Sequence, residues 1–246
     1  MHFLLIIEYD GTSFSGWQTQ PGRRTVQEDI EAAGLSITGH RIRITGAGRT
    51  DKGVHAFAQA ASFHADATIT PSRLCAAFNA VLPKDISISR VRRVPDNFNA
   101  RFAATGKIYH YRIWNRTYRS VWSKKYAWHV FRPLDVKAMR TAAASLTGRH
   151  DFTAFSAAHG SQKNMMVDLR RISIIRRNGF VVVEFEADRF LYKMVRNMVG
   201  TLVEVGRGKM APPEVAHILR SGDRRLAGQT APAHGLFMKK VLFTKP

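Results

Sequence analysis

The chain has 246 residues, of which 38 are Lys or Arg and 18 are Asp or Glu, giving a net charge of +20. With 45% hydrophobic and 23% charged residues it is too apolar for a disordered tail and long enough to bury one large core or two modest ones. A lone cysteine, Cys75, excludes an intramolecular disulfide and a cysteine-rich zinc site, and no apolar run approaches the roughly 20 residues of a membrane span.

In chain order, Phe3 to Tyr9 reads as a strand, after a start that lacks the basic leader of a secretory signal. The expectation is a soluble, cytoplasmic protein. Asp10 to Arg24 is a Gly-rich polar loop, and Thr25-Val26-Gln27-Glu28 has capping-box spacing, so a helix starts there. Arg41 to Thr45 and His55 to Phe63 read as strands on either side of a second Gly-rich loop. Thr70-Pro71 caps a helix reaching about Leu82, and Ile86 to Val94 alternates as a strand. The order is β-α-β-β-α-β.

The second part repeats that order. Lys107 to Trp114 is a strand, Asp135 to Leu146 a helix, and Leu169 to Arg176 and Phe180 to Ala187 are strands joined at Asn178-Gly179, after an insertion between His159 and Asp168. Leu191, Met194, Val195, Met198, Val199 and Leu202 recur at helical spacing, and Leu236 to Phe243 closes as a strand. The expected fold is α+β, with two tandem ferredoxin-like βαββαβ units, residues 1–98 and 99–246, antiparallel sheets and a cleft between the domains.

The charge is concentrated. Residues 53–134, one third of the chain, hold 13 Lys or Arg against 3 Asp or Glu, which points to a polyanionic partner such as RNA. The hairpin at Asn178-Gly179 is tight, whereas the corresponding hairpin of the first half carries residues 46–54, Gly46-Ala47-Gly48-Arg49-Thr50-Asp51-Lys52-Gly53-Val54. A tight turn would close it, so the extra length suggests function. The loop lacks the glycines of a dinucleotide fingerprint, and Val54 and His55 stand where an RNP1 motif needs other residues. His55, His64 and His110 fit no metal-ligand spacing and read as structural or solvent-facing. Asp51, flanked by Arg49 and Lys52, is favoured in its ionised form, which suits a nucleophile or base. Spacing alone is equally compatible with an Asp51–Arg49 ion pair that fixes the loop.

Gly48-Arg49-Thr50-Asp51-Lys52-Gly53-Val54-His55-Ala56 resembles the active-site loop of the tRNA pseudouridine synthase A family. The resemblance runs in order along nearly the whole chain. It includes Glu8-Tyr9-Asp10-Gly11 with Gly16-Trp17-Gln18, Val26-Gln27-Glu28, Asn99 to Ala104, and Lys107-Ile108-Tyr109-His110-Tyr111. It continues through Asp151 to Phe155, Met194 to Gly200 and Ala231 to Leu236. Lys52 and the run Gly106-Lys107-Ile108 depart from the family pattern.

The resemblance implies that Asp51 is the catalytic aspartate and Arg196 its basic partner. Tyr109 would stack on the uracil, and Arg49 would occupy space vacated by a flipped nucleotide. Tyr111, Trp17, Phe102 and Phe152 read as packing residues. It further implies isomerisation of uridine at positions 38, 39 and 40 of the tRNA anticodon stem-loop, no cofactor, no metal, no membrane association, and a homodimer. Two other readings share the charge: a non-catalytic RNA-binding module, which leaves Asp51 unexplained, and a metal-dependent nuclease, against which the sparse carboxylates weigh.

Overall fold

The structure, a computed structural model, describes residues 1–65, 69–157 and 164–244. Packing divides the chain into two compact units. The first comprises Met1–Thr105 with Phe237–Pro246, and the second Gly106–Leu236.

In the first unit, β1 (His2–Tyr9) lies between β3 (His55–His64) and β4 (Ile86–Val94) and is antiparallel to both. β2 (Thr45–Gly46) pairs with β3 on its other side. Helix α1 (Val26–Thr38) begins at Thr25, whose hydroxyl accepts the Glu28 N–H at 3.4 Å. This is the predicted cap, although the reciprocal bond from the Glu28 side chain is absent among the described residues. Helix α2 (Pro71–Val81) starts as predicted, with Thr70 accepting from the Arg73 N–H and proline in the first turn, where no N–H partner is needed. Phe3, Leu5, Phe63, Leu74 and Phe78 are fully buried, and the Phe63 and Phe78 rings meet edge-on at 6.0 Å.

The strand expected over Arg41 to Thr45 is shorter than its apolar alternation suggested. Ile42 and Ile44 are buried, but the Ile44 N–H is donated to the Glu31 carboxylate of α1 at 3.0 Å. A side chain of the neighbouring helix thus takes the place of a strand partner. A short helix, α3 (Ala100–Ala103), is capped by the Asn99 side chain, and its Ala100 N–H donates to Ser62 of β3 at 3.0 Å. This tie holds residues 99–103 on the first unit, so the packing division falls after Thr105 rather than at the 98/99 boundary read from sequence. In the same helix Phe102 is 80% exposed, against its expected packing role.

In the second unit the strand order is β5-β9-β8-β7, antiparallel throughout, formed by β5 (Ala104–Trp114), β7 (Gly148–Asp151), β8 (Met166–Arg177) and β9 (Phe180–Ala187). Asn178 and Gly179, both at positive φ, make the two-residue turn between β8 and β9. Residues 158–163 of the predicted insertion lie outside the described residues. Two helices, α4 (Val136–Ala144) and α5 (Met194–Gly206), pack against each other and bury Met139, Met198 and Leu202. Helix α6 (Pro212–Ser221), packed on α4, was not anticipated from periodicity.

The sheets also depart from wholly antiparallel pairing. β6 (Trp128–His129) runs parallel to β5, because residues 115–127 supply the crossover of a dozen or so residues that parallel strands require. In β10 (Leu236–Phe243), Phe237 and Met238 pair in parallel with His55 and Ala56 of β3.

Candidate active site

The loop after β2 contains two of the four predicted site residues, and its backbone is tied at nearly every step. The Ala47 N–H donates to the Ala60 carbonyl at 2.8 Å, and the Gly48 carbonyl accepts from the Gln59 side chain at 2.9 Å. The Thr50 carbonyl accepts the Trp17 N–H at 3.1 Å, while the Thr50 hydroxyl is 2.7 Å from the buried Tyr9 hydroxyl. The Asp51 carbonyl then accepts the Val54 N–H at 3.1 Å, closing the turn over Gly53. Gly16 lies directly beneath. Its φ is +102°, and a Cβ there would come within 2.6 Å of the Thr50 carbonyl oxygen. Only glycine admits both that conformation and that approach.

These ties leave the Asp51 side chain half-buried and Arg49 exposed. The loop does not depend on an Asp51–Arg49 bridge to hold its shape. The backbone ties do that, with Tyr9, whose burial pushes its hydroxyl well above the usual phenol range. At the loop's far end His55 is buried, as its structural reading required. Its Nδ1 accepts the Gly11 N–H at 3.1 Å, and its ring stacks on Phe237 at 4.7 Å.

The other two predicted residues belong to the second unit. Tyr109 sits on β5 opposite Phe185 of β9, is 7% exposed, and meets the Phe190 ring edge-on at 5.0 Å. Two residues along the same face, Tyr111 is fully buried and donates its hydroxyl to the Pro232 carbonyl at 2.7 Å. Tyr111 thus packs as its sequence reading expected, and Tyr109 is buried beside it. Trp17 and Phe152 are likewise buried.

Arg196 lies on the first turn of α5, half-buried between fully buried Met194, Asn197 and Met198. Its Nε donates to the Ala231 carbonyl at 2.8 Å, and its own carbonyl accepts the Ala231 N–H at 3.1 Å. That double tie needs the 229–231 segment against α5. Gly200 permits it, since a Cβ there would collide with the Gln229 carbonyl. The buried Asn197 side chain extends the same support, donating to the Phe155 carbonyl at 2.7 Å and accepting from the Thr230 hydroxyl at 2.7 Å. Nearby, His234 donates to the Ala127 carbonyl, and burial, then the Arg196 charge, hold its imidazole below its ordinary basicity. The helix begins at Lys193, a non-glycine at φ 59°, a strained start of the sort that collects at functional sites.

Sequence reasoning missed Gln59, Asn197 and the Tyr9–Thr50 pair as supports. Tyr9 and Asn197 stand inside blocks that carry the family resemblance, but their partners are distant in sequence. Among the described residues, no group of three or more His, Cys, Asp or Glu side chains is placed to hold a metal ion. No described helix is long and apolar enough to cross a membrane.

The family model described as tRNA pseudouridine synthase matches residues 5–103 and 142–244. A protein of Thermoanaerobacter pseudethanolicus named tRNA pseudouridine synthase A is 42% identical over 240 residues, covering 98% of each chain. One of Acetivibrio thermocellus with the same name is 42% identical over 239 residues, covering 97% of this chain and 98% of its own. The Myxococcus xanthus protein so named is 41% identical over 243 residues, covering 97% and 91%. The tied loop with its single carboxylate, the supported arginine and these matches along almost the full length agree: the chain belongs to the tRNA pseudouridine synthase family and is an isomerase.

Proposed function

We propose that this enzyme converts uridine to pseudouridine at positions 38, 39 and 40 of the tRNA anticodon stem-loop, with Asp51 as the catalytic carboxylate. The observation that carries this reading is the Asp51 loop, held by Tyr9, Trp17, Gln59 and Gly16 far more closely than a connecting hairpin needs. A preorganised carboxylate spends little reorganisation when it meets its target. In the reaction the C1′–N1 bond of uridine breaks, the uracil turns, and a C1′–C5 bond forms. The hydrogen displaced from C5 goes to solvent and N1 gains a proton. Composition is conserved, so no cofactor or metal is needed.

The reacting base is paired or stacked in its stem, so the nucleotide is flipped out before Asp51 reaches it, at a cost of a few kcal/mol. Arg49, exposed at the loop tip, would fill the vacated space and contact phosphate. Tyr109 would stack on the extruded uracil, a contact worth on the order of 1–3 kcal/mol that survives the base turning over. Arg196 would pair with Asp51 through its terminal nitrogens, while its Nε donates to the Ala231 carbonyl. The proposal includes a catalytic cleft between two tandem ferredoxin-like domains and a cytoplasmic homodimer, with one tRNA touching both subunits.

The test is pseudouridine mapping of unmodified tRNA incubated with the purified protein, without cofactor and with EDTA. Conversion confined to positions 38–40 is expected. Unaltered uridines would leave only a binding module, and strand cleavage only a nuclease.

A further inference from the structure

The parallel return from β5 to β6 folds residues 115–127 back on the second unit and borders an open cavity of about 270 Å³. Trp114, Trp128, Ala127 and His234 form its apolar and aromatic side, and Arg119, Ser120, Ser123, Lys124 and His129 the remainder. Both indoles are fixed from behind. The Trp114 N–H donates to the Tyr118 carbonyl at 2.7 Å, and Trp128 meets the Tyr111 ring edge-on at 6.4 Å. No carboxylate lines the cavity. Between residues 112 and 132 the chain carries Arg112, Arg116, Arg119, Lys124, Lys125 and Arg132 and not one Asp or Glu. None of this is used by the chemistry at Asp51.

We propose that this cavity is a second, non-catalytic nucleotide subsite, which takes one unstacked nucleotide of the tRNA with its base against the tryptophans and its phosphate at Arg119 and Lys124. The volume lies just below the roughly 300 Å³ at which small-molecule pockets begin, room for one base and not for two. Rigid aromatic walls beside unopposed cations are the pairing by which single-stranded nucleotides are held without sequence readout. One wall is shared with the Arg196 support, because His234, bonded to the Ala127 carbonyl, follows Ala231 and Pro232 in the segment tied to α5 and Tyr111. The assignment rests on tRNA being the substrate, but not on Asp51 being catalytic.

The test is equilibrium binding of unmodified tRNA to the full chain at one fixed salt concentration. Ser123→Phe fills the cavity without altering charge. The double variant R119E/K124E reverses two exposed rim cations and leaves the core untouched. Each is expected to weaken binding by about tenfold, the scale of one lost base stack. The control K137E/R220E, exposed positions on α4 and α6, is expected to change it by less than about twofold. Ultraviolet crosslinking to wild-type protein is expected to mark the peptides bearing Trp114 and Trp128. Unchanged affinity in S123F, or an equal loss in the control, overturns the subsite. So does a change in the oligomeric mass of S123F at unchanged tRNA affinity, which would make the cavity a receptor for a second copy of the chain. The readout is binding and not pseudouridine formation, so failure here leaves the reading of Asp51 standing.

Discussion

Arg196 shows how much of a side chain's function is settled before substrate arrives. Its Nε and its backbone carbonyl are both tied to Ala231, so the guanidinium has one position to offer. Lysine carries the same charge but cannot donate to Ala231 while presenting a planar fork to a carboxylate. Arg196→Lys is therefore expected to lose kcat/KM by tenfold to about a hundredfold, corresponding to about 1.5–3 kcal/mol for a hydrogen bond to a charged group. Steady-state assay against a melting curve checks it, since activity should fall with little change in Tm. At this scale the four proposed site residues could be singled out because each stands in a contiguous block that carries the family resemblance. Their supports could not, because Gln59 reaches back to Gly48 and Asn197 across to Phe155, contacts that exist only after folding. Phe102 erred in the opposite direction: an aromatic in a family block reads as core, yet the short α3 turns it outward.

Among the elements, the loop of residues 46–54 depends on a glycine thirty-odd residues before it. Gly16→Ala forces a side chain into a positive-φ conformation and into the Thr50 carbonyl. A destabilisation of about 1–3 kcal/mol is expected from the strain, with a fall in kcat larger than unfolding accounts for, because the Asp51 loop itself must move. Denaturant titration beside the kinetic assay separates the two effects. The start of α1 and both ends of α2 and β9 were read nearly to the residue. The short β6 and β7, with two and four residues, carry no period to read. Helix α6 had a readable start in Ala211-Pro212-Pro213-Glu214, proline in the first turn with an acid in it. The strand expected from Arg41 did not form before β2, because Glu31 of α1 takes the Ile44 N–H, a tertiary preference invisible to alternation.

For the whole molecule, the β-α-β-β-α-β order of the first half was visible in the pattern of apolar residues, whereas β6, β7 and α6 of the second half and the division after Thr105 were not, and Phe237–Met238 of β10, read as closing the second unit, pair with β3 of the first. Two partly buried imidazoles give the folded chain a pH signature. Burial lowers the affinity of His2 and His234 for a proton below the ordinary value of 6.5. As pH falls through that value the unfolded chain takes up protons that the native chain refuses, so native stability is complete at neutral pH and declines on acidification below about 6.5. Thermal melts between pH 7.5 and pH 5.5 should show Tm falling with acid, less steeply in His234→Asn.

The net charge of +20 explains attraction to a polyanion, but a basic surface alone isomerises nothing. The central claim is that Asp51 performs the reaction, and Asp51→Asn tests it with tRNA labelled with tritium at C5 of uridine. Release of label to solvent should be lost while tRNA binding stays within a few-fold of the unsubstituted protein. Continued release of tritium by Asp51→Asn at a comparable rate would contradict the account.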